Sequence, residues 1–441
     1  MRRTRPRPRL LPVEASIHSL APGGDGVAHI EIEGRRRAVF VPRTAPGDRA
    51  RLAVDPSHRP ARGRLLELIS GGSDRVPVAC GSADRCGGCD WMHLSLEAQV
   101  RVHVEHVRGA LPRAWRGVAV DSTPAPAGMR ARSRARVHVR CERGRPVRVG
   151  MHQARTHSPV EVDECVVLEA PIEAARRALP SLFEGASGRA DVTIAYGAGG
   201  AAVLHVLWTD AASGEHGSPA GLPDRTFFRI DRAVESGLIA GAQIVFEGAS
   251  RPSRIGDPTP WMLGADGAAL RLASGGFGQA SSPVNAALVQ HVAGLVRAQR
   301  VGAAVELYAG AGNLGVLVAP AVGELVCVES DRECCHAARA NFAERGLVAR
   351  VVEADATAYV WKAATELVVL DPPRGGARAV TERLAASPVR HVIYVSCDPQ
   401  TLGRDLAALQ AAYAPSSVHT FEMFPQTSHV ETVVALERRR R

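Results

Sequence analysis

The 441-residue sequence predicts a multidomain protein with three folded parts. These are a small N-terminal β-barrel of OB-like type, a central α+β domain, and a C-terminal α/β domain of Rossmann-like type. Three observations predict this order: short strand patterns up to about residue 70, a cysteine-rich loop at residues 80–89, and apolar runs alternating with helical segments after residue 283. The composition, 46% hydrophobic and 22% charged, is that of an ordinary globular protein.

The N-terminal part begins with an Arg/Pro-rich stretch, residues 1–12, which we expect to be a basic disordered arm. Residues 13–72 form the predicted barrel. Its strands GVAHIEIEG and RRRAVFVP meet at Glu33-Gly34, a typical hairpin turn, and RARLAVD and RGRLLELIS add further strands. The strings DGVAHI, VFVP and PGDRARL resemble a TRAM domain, an OB-like module that binds RNA.

The central domain, residues 73–275, opens with Cys80, Cys86 and Cys89 in the spacing C-x5-C-x2-C. Three thiols in so short a loop indicate one metal centre. An iron–sulfur cluster needs a fourth thiolate, whereas tetrahedral zinc would also accept His93 as its fourth ligand. The spacing leaves both metals open. The sequence does not predict the topology of residues 170–265. Four other cysteines are expected to be small buried hydrophobic residues: Cys141, Cys327, Cys334 and Cys335.

In the C-terminal domain, residues 276–441, the run AAVELYAGAGNLG contains the pattern G-x-G-x-x-G between a strand and a helix. This pattern suits either a dinucleotide or S-adenosylmethionine. Glu329, at the end of the next strand, can accept hydrogen bonds from ribose hydroxyls in either case. Glu306 would attract a sulfonium but repel a pyrophosphate, which favours S-adenosylmethionine. Asp355, at the end of a third strand, is placed to reach the adenine.

Two further strand ends carry chemistry. The strand ELVVLDPPRGG ends at Asp371, and HVIYVSCDP places Cys397 at its carboxyl end. Both residues should therefore face the ligand crevice of an open α/β sheet. Glu431 begins a last strand, where a carboxylate would by itself indicate no more than an ordinary polar end.

Five strings in order resemble the class I RNA uracil-5-methyltransferases: GFGQASSPVN, ELYAGAGNLG, LDPPRGG, VSCDPQTLGRDL and FPQTSHVETV. The resemblance runs from about residue 13 to the end. It is greatest to the bacterial 23S rRNA enzymes that join a TRAM domain, a cysteine cluster and a methyltransferase domain. It implies a [4Fe–4S] cluster on Cys80, Cys86, Cys89 and Cys165. It also implies S-adenosylmethionine contacts from Gln279, Tyr308, Asn313, Glu329, Asp355 and Asp371.

The same resemblance implies that Cys397 is the nucleophile and Glu431 the general base. The expected reaction is methylation of uracil C5 through an adduct between the cysteine thiolate and uracil C6. Ribosomal RNA is the favoured substrate and transfer RNA the alternative. A dinucleotide-dependent oxidoreductase and a non-catalytic RNA-binding protein are more distant alternatives. Two departures are that the glycine loop reads Tyr-Ala-Gly where the family often has Cys-Gly after an aromatic residue, and that residues 170–265 match poorly.

Charge distribution supports an RNA partner. Residues 1–150 carry 28 basic and 14 acidic residues, whereas residues 151–441 carry 26 and 31. We therefore expect residues 1–150, including Arg132, Arg134 and Arg136, to bind the RNA backbone. No apolar run long enough for a membrane span or secretory signal is present, and the nine cysteines are too few for a disulfide scaffold. The sequence predicts a cytoplasmic monomer without an obligate protein partner.

Overall fold

A computed structural model describes residues 10–154, 156, 158–210, 221–249 and 251–440. Its first unit is a closed five-stranded barrel in the order β1-β2-β3-β5-β4, as the sequence predicts. The strands are β1 Leu11–Leu20, β2 Gly26–Ile32, β3 Arg35–Val41, β4 Arg49–Asp55 and β5 Ala61–Ser70. Because β1 already begins at Leu11, the last residues of the expected arm belong to the barrel. Residues 1–9 of that arm lie outside the described residues.

The hairpin between β2 and β3 turns at the predicted residues. Glu33 and Gly34 have φ values of 53° and 68°. Two positive φ values in a two-residue loop are typical of a type I′ turn, whose twist matches that of the strands. The barrel is filled by alternate side chains of its strands, among them Ile17, Val39 and Leu52.

The central region contains a seven-stranded sheet in the order β13-β12-β11-β10-β7-β8-β9. The elements from α1 to β13 are α1 Leu96–Ala110, β6 Asp121–Thr123, β7 Arg134–Cys141, β8 Arg148–His152, β9 Pro159–Glu161, α2 Ala170–Leu182, β10 Gly188–Tyr196, β11 Ala202–Asp210, α3 Asp224–Glu235, β12 Ile239–Phe246 and β13 Ser253–Gly256. Helices α2 and α3 pack against the sheet over an apolar core that includes Ile172, Phe183 and Trp208. The topology that the sequence left unassigned is thus a mostly antiparallel sheet with its helices.

A short hairpin, β14 Trp261–Leu263 and β15 Ala269–Arg271, leads to an eight-stranded sheet. Its remaining elements are α4 Ser282–Gln299, β16 Ala303–Leu307, α5 Gly315–Val318, β17 Glu324–Glu329, α6 Arg332–Glu344, β18 Arg350–Glu353, β19 Leu367–Leu370, α7 Arg378–Ala386, β20 His391–Ser396, α8 Pro399–Leu409, β21 Tyr413–Phe421 and β22 Glu431–Arg438. The order is β18-β17-β16-β19-β20-β22-β21-β6. Strands β16 to β20 are parallel, and β22 joins them antiparallel. The predicted doubly wound domain is confirmed.

Two apolar clusters cover the two faces of this sheet, because its strands are continuous apolar runs buried on both sides. The edge strand β6 pairs with β21 although it lies in residues 121–123, inside the span that we expected for the central domain. Helix α1 packs against α8, where Gly403 leaves room for the Ala110 carbonyl oxygen. The expected domain boundaries stay predictions.

Within the residues that the structure describes, no helix combines the length and the apolar character that crossing a bilayer requires.

Candidate functional site

The candidate site lies at the carboxyl edge of the parallel strands of the eight-stranded sheet. Strand β16 stands between β17 and β19, so the chain order reverses on either side of it. Such a reversal opens a crevice in which α/β proteins bind their ligands. The segments that follow β16, β17, β19 and β20 all begin at this edge. They carry most of the residues that the sequence singled out.

The glycine loop after β16 has an unusual backbone. Tyr308, Gly310 and Gly312 all have positive φ values, of 62°, 53° and 85°. At Tyr308 this conformation is costly for a residue with a Cβ, and such strain is concentrated at functional sites. The loop is held from β17, because Gly310 N–H donates to Glu329 Oε2 over 2.9 Å. Glu329 Oε1 accepts from Asp331 N–H over 2.8 Å, so its carboxylate orders two turns.

Three carboxyl groups face one another below this loop. Glu306 is buried, and its Oε2 accepts a hydrogen bond from Cys327 Sγ over 3.5 Å. Burial, together with the nearby Asp371 and Glu329, raises the pKa of Glu306 to about 8. Burial likewise raises the pKa of Asp371. A bound cation would relieve this repulsion, whereas a pyrophosphate would increase it. The donor set therefore suits a sulfonium compound better than a dinucleotide.

Polar side chains line the other wall of the crevice. Asn285, at the start of α4, and Asn313, in the glycine loop, exchange two amide hydrogen bonds of 3.0 and 2.8 Å. Gln279 is 5% exposed, and within the described part of the chain its Oε1 has no hydrogen-bond partner. A buried acceptor of this kind favours a ligand that donates to it. Asp355 differs: it is exposed, and its Oδ1 accepts from the backbone and hydroxyl of Thr357 over 2.6 Å.

Cys397 and Glu431 lie at the facing ends of β20 and β22. Burial, together with the charges of Glu431 and Asp371, raises the pKa of the Cys397 thiol to about 12, and Arg374 opposes this increase. Burial also raises the pKa of Glu431, with a further increase from Asp371. Glu431 is 2% exposed, and among the described residues its Oε2 has no hydrogen-bond partner. A thiol and a free carboxyl oxygen thus share one partly enclosed place.

The cysteines of the N-terminal half surround a separate cavity of about 150 Å³. Its lining includes all four thiols that the resemblance singles out: Cys80, Cys86, Cys89 and Cys165. Burial raises the pKa of Cys89 to about 12, and the other three thiols add to that increase. Gly88 N–H donates to Cys86 Sγ over 3.4 Å. The donor chemistry fits a thiolate-bound centre, although among the described residues no three His, Cys, Asp or Glu side chains form a ready metal-binding group.

His93, the alternative zinc ligand, does not line this cavity. It is buried, and its Nε2 lies 3.2 Å from the Thr44 carbonyl oxygen, at the contact with the barrel. The cavity is instead flanked by arginines. Within the described residues, Arg132 Nε and Nη2 are buried without a hydrogen-bond partner. Arg134 bonds to the Gly276 carbonyl oxygen, and Arg136 pairs with Asp191 over 2.5 Å. Arg134 is therefore engaged inside the protein, whereas the Arg136 side chain stays exposed beside Asp191.

The structure brings most predicted site residues to one crevice. Asp355 stays at its rim with an exposed carboxylate. The four remaining cysteines, Cys141, Cys327, Cys334 and Cys335, are buried as expected. Sequence reasoning missed Asn285, although it ends the string GFGQASSPVN, and Arg374, which follows Asp371 in LDPPRGG. Both residues lie inside strings that resemble the family. The sequence did not show which side chain each of them contacts.

Two family models match the C-terminal part of the chain. One is described as tRNA (Uracil-5-)-methyltransferase and matches residues 348–439. The other is described as methyltransferase small domain and matches residues 283–392. Together the two matches span the parallel strands and the segments that follow them.

Curated relatives match nearly the whole chain. The 23S rRNA (uracil(1939)-C(5))-methyltransferase RlmD of Pseudomonas putida is 30% identical, and the alignment covers 96% of this chain and 92% of that protein. The protein of the same name from Halomonas elongata is 32% identical, with 96% and 89% covered. Among solved structures, the Pyrococcus abyssi tRNA (uracil-54, C5)-methyltransferase in complex with S-adenosyl-L-homocysteine superposes with a TM-score of 0.70 at 20% identity. The superposition covers 96% of this chain and 100% of the Pyrococcus abyssi chain, which supports the methyltransferase fold.

Proposed function

Because this chain belongs to the family of 23S rRNA uracil-C5-methyltransferases, we propose that it transfers a methyl group from S-adenosylmethionine to C5 of one uridine in 23S rRNA. One observation carries the proposal. The thiol of Cys397 and the unpartnered carboxyl oxygen of Glu431 share the crevice edge with a group of carboxyls, among them the buried Glu306, that suits a sulfonium.

The residues proposed to hold the methyl donor are those of the crevice. The free Gln279 Oε1 accepts from the donor, and the Glu329 carboxylate faces its ribose. Tyr308 and Asn313 lie in the glycine loop, where Asn285 fixes the Asn313 amide. The positive charge of a sulfonium would favour the ionised form of Asp371 and Glu306, whose pKa values burial raises. Asp355 reaches the adenine only from the rim of the crevice.

The covalent step begins at Cys397. Its thiol loses a proton, and Sγ bonds to C6 of uracil, which gives C5 the nucleophilic character that it otherwise lacks. When bound, S-adenosylmethionine supplies an electrophilic methyl group. Once C5 carries the methyl group, Glu431 removes the remaining C5 proton, and Sγ leaves C6 to restore the double bond. This role requires the Glu431 carboxylate to come within hydrogen-bond reach of the C5 proton, about 2.6–3.2 Å between heavy atoms. A single bridging water would serve equally. The uridine must leave its stack to be reached on both faces.

For the cysteine cavity we propose a [4Fe–4S] cluster held by Cys80, Cys86, Cys89 and Cys165. The shared cavity and the mutual charge effects of the thiols support this choice. The methylation moves no electrons, so the role assigned to the cluster is structural or RNA-positioning. Iron and sulfide analysis of protein purified without oxygen tests its identity. About four irons and four sulfides per chain are expected, whereas stoichiometric zinc would refute the cluster.

The basic residues 1–150, which include the barrel and an Arg-rich strand, are proposed to bind the RNA backbone. Arg132 and Arg134 have internal positions, so we expect exposed arginines to contribute most of the salt dependence. Arg62 and Arg64 on β5 are suitable for substitution by glutamine in a binding assay at several salt concentrations.

Transfer RNA is the second candidate substrate, because one matching family model and the superposed structure carry transfer-RNA names. Nucleoside mapping of both RNAs from a strain that lacks the gene decides between them. Loss of one 5-methyluridine from 23S rRNA, restored by the wild-type gene and not by the Cys397→Ala variant, is the expected result. Loss from transfer RNA alone would replace the proposed substrate, and loss from neither would overturn the function.

A further inference from the structure

The segment between β21 and β22, residues 422–430, forms a wall of the candidate site. We call it the 422–430 loop; it leads directly into Glu431. His429 Nε2, near the loop's end, lies 3.4 Å from Arg374 Nη2. Arg374 in turn lowers the pKa of Cys397 and of Glu431. The position of the loop therefore affects the charge balance at both proposed reacting residues.

The loop contains a strained residue that external contacts must hold. Gln426 has a φ of 71°, a left-handed conformation that residues other than glycine rarely adopt. Gln426 is 5% exposed. Such a conformation persists when the surroundings determine it, so the contacts of Gln426 show what fixes the loop.

Those contacts come from Gln99 on α1, which is 327 residues away in the sequence. Gln426 N–H donates to Gln99 Oε1 over 2.8 Å, and Gln99 Nε2 donates to Gln426 Oε1 over 3.2 Å. Gln99 is 1% exposed, and its Nε2 also donates to the Leu94 carbonyl oxygen over 2.9 Å. One side chain thus satisfies the backbone and the side chain of the strained residue together.

A second residue of α1 holds the start of the loop. His103 lies one turn after Gln99 and faces the same way. Its Nδ1 is 2.8 Å from Glu422 Oε2, and both side chains are buried. The face of α1 that carries Gln99 and His103 is therefore bonded to two points of the 422–430 loop.

The segment just after Cys89 supplies two more bonds. Asp90 Oδ1 accepts from Ser428 N–H over 2.9 Å, and Trp91 N–H donates to the Gln426 carbonyl oxygen over 3.0 Å. Gly24 of the barrel packs closely against this bond, because a Cβ on Gly24 would collide with the Asp90 carboxylate. Three consecutive residues thus join the cysteine cavity to the loop that precedes Glu431.

We propose that Gln99, assisted by Asp90, is a positioning residue that fixes the 422–430 loop and so sets the rate of the chemical step. This inference rests on the proposed function only where turnover is measured. Gln99 touches no reacting atom. It acts through Gln426, whose strained backbone returns to an ordinary conformation when the bonds from α1 are lost.

The test compares Gln99→Glu with the wild type. The substitution keeps the shape but places an acceptor oxygen where Nε2 faces three acceptors, which are Gln426 Oε1 and the carbonyl oxygens of Leu94 and Trp91. Glu97→Gln, an exposed position in the first turn of the same helix, is the matched control. We expect kcat to fall about 10- to 100-fold, with S-adenosylmethionine affinity unchanged and faster amide exchange in residues 424–430. The control should behave as the wild type.

Asp90→Ala covers the case in which Gln99→Glu fails to fold, because Asp90 is only half-buried. It should lower kcat and speed exchange in the same residues, with iron content unchanged. Normal kcat per folded molecule, with reduced thermal stability alone, would show a merely structural role and overturn the inference. If the wild type itself forms no 5-methyluridine, the proposed function fails, and the exchange data still decide whether Gln99 and Asp90 fix the loop.

Discussion

Cys397 and Glu431 face each other across two antiparallel strands. Ser396 at the end of β20 pairs with Thr432 in β22. Because the strands are antiparallel, Cys397, which follows Ser396, lies opposite Glu431, which precedes Thr432. Directly opposed residues in such a ladder have Cβ atoms about 4.5–5.5 Å apart. This register places the thiol and the carboxyl beside each other at the carboxyl edge of the parallel strands.

Substitution of Cys397 by alanine should abolish methylation, since C5 loses the activation that sulfur addition provides. We expect turnover to fall by at least about 10³-fold, with S-adenosylmethionine binding retained. Formation of 5-methyluridine on an RNA substrate, measured by transfer of labelled methyl groups, provides the rate. Wild-type turnover in this variant would eliminate the covalent scheme.

Substitution of Glu431 by glutamine should stop the reaction after methyl transfer. Without a base the C5 proton stays, Sγ cannot leave C6, and the protein–RNA adduct accumulates. Denaturing gels with labelled RNA will show it as a slow-migrating band that requires Cys397. Normal turnover with no such band would exclude Glu431 as the base.

Arg374→Ala should make the Cys397 thiol harder to ionise, because Arg374 is the group that lowers the Cys397 pKa against burial and three carboxyls. Alkylation of Cys397 by iodoacetamide, followed by mass spectrometry over a range of pH, should slow about three- to tenfold at neutral pH. Arg378→Ala is the control, since Arg378 is exposed and pairs with Glu382. An equal or faster rate in Arg374→Ala would contradict the assigned charge effect.

The protein should lose stability as the pH rises through the range in which Glu431 ionises. Burial raises the folded-state pKa of Glu431 from 4.5 to about 8, so the folded state binds more protons than the unfolded chain between these values. Glu431→Gln removes that penalty. It should melt about 2 °C higher than the wild type near pH 8.5 and equally near pH 4.5.

Glu437→Gln, at an exposed position of the same strand, is the control for that measurement and should melt as the wild type at both pH values. An unchanged difference between wild type and Glu431→Gln at the two pH values would show that Glu431 is not buried as a neutral acid.

The C-terminal domain could be predicted from the sequence because its strands are continuous apolar runs with polar ends. Glu431, for example, is the first residue of β22, where the pattern placed it. The short strand β6 could not be predicted, since the residues Asp121–Thr123 are polar and mostly exposed and their partner is far away. The central sheet was missed for a related reason: its order depends on pairings that local periodicity does not encode.

The candidate site shows the same division. Strand ends placed Asp371 and Cys397 at the crevice, because the carboxyl ends of parallel strands meet at one edge. The bond between Gln99 and Gln426 could not be foreseen, since each glutamine alone resembles an ordinary polar residue. Asp355 had the expected strand-end position, but its carboxylate caps the turn at Thr357, a local bond that competes with ligand binding.

The pairing of β6 with β21 has a consequence for biosynthesis. Thr123 and its partner His419 are separated by 296 residues. At about 5–20 residues per second, the ribosome synthesises His419 roughly 15–60 s after Thr123. During that interval the apolar surface formed by Val107 of α1 and by Leu111 and Trp115, which follow the helix, lacks the sheet that later buries it. The nascent chain therefore presents a hydrophobic helix to chaperones until its last strands emerge from the ribosome.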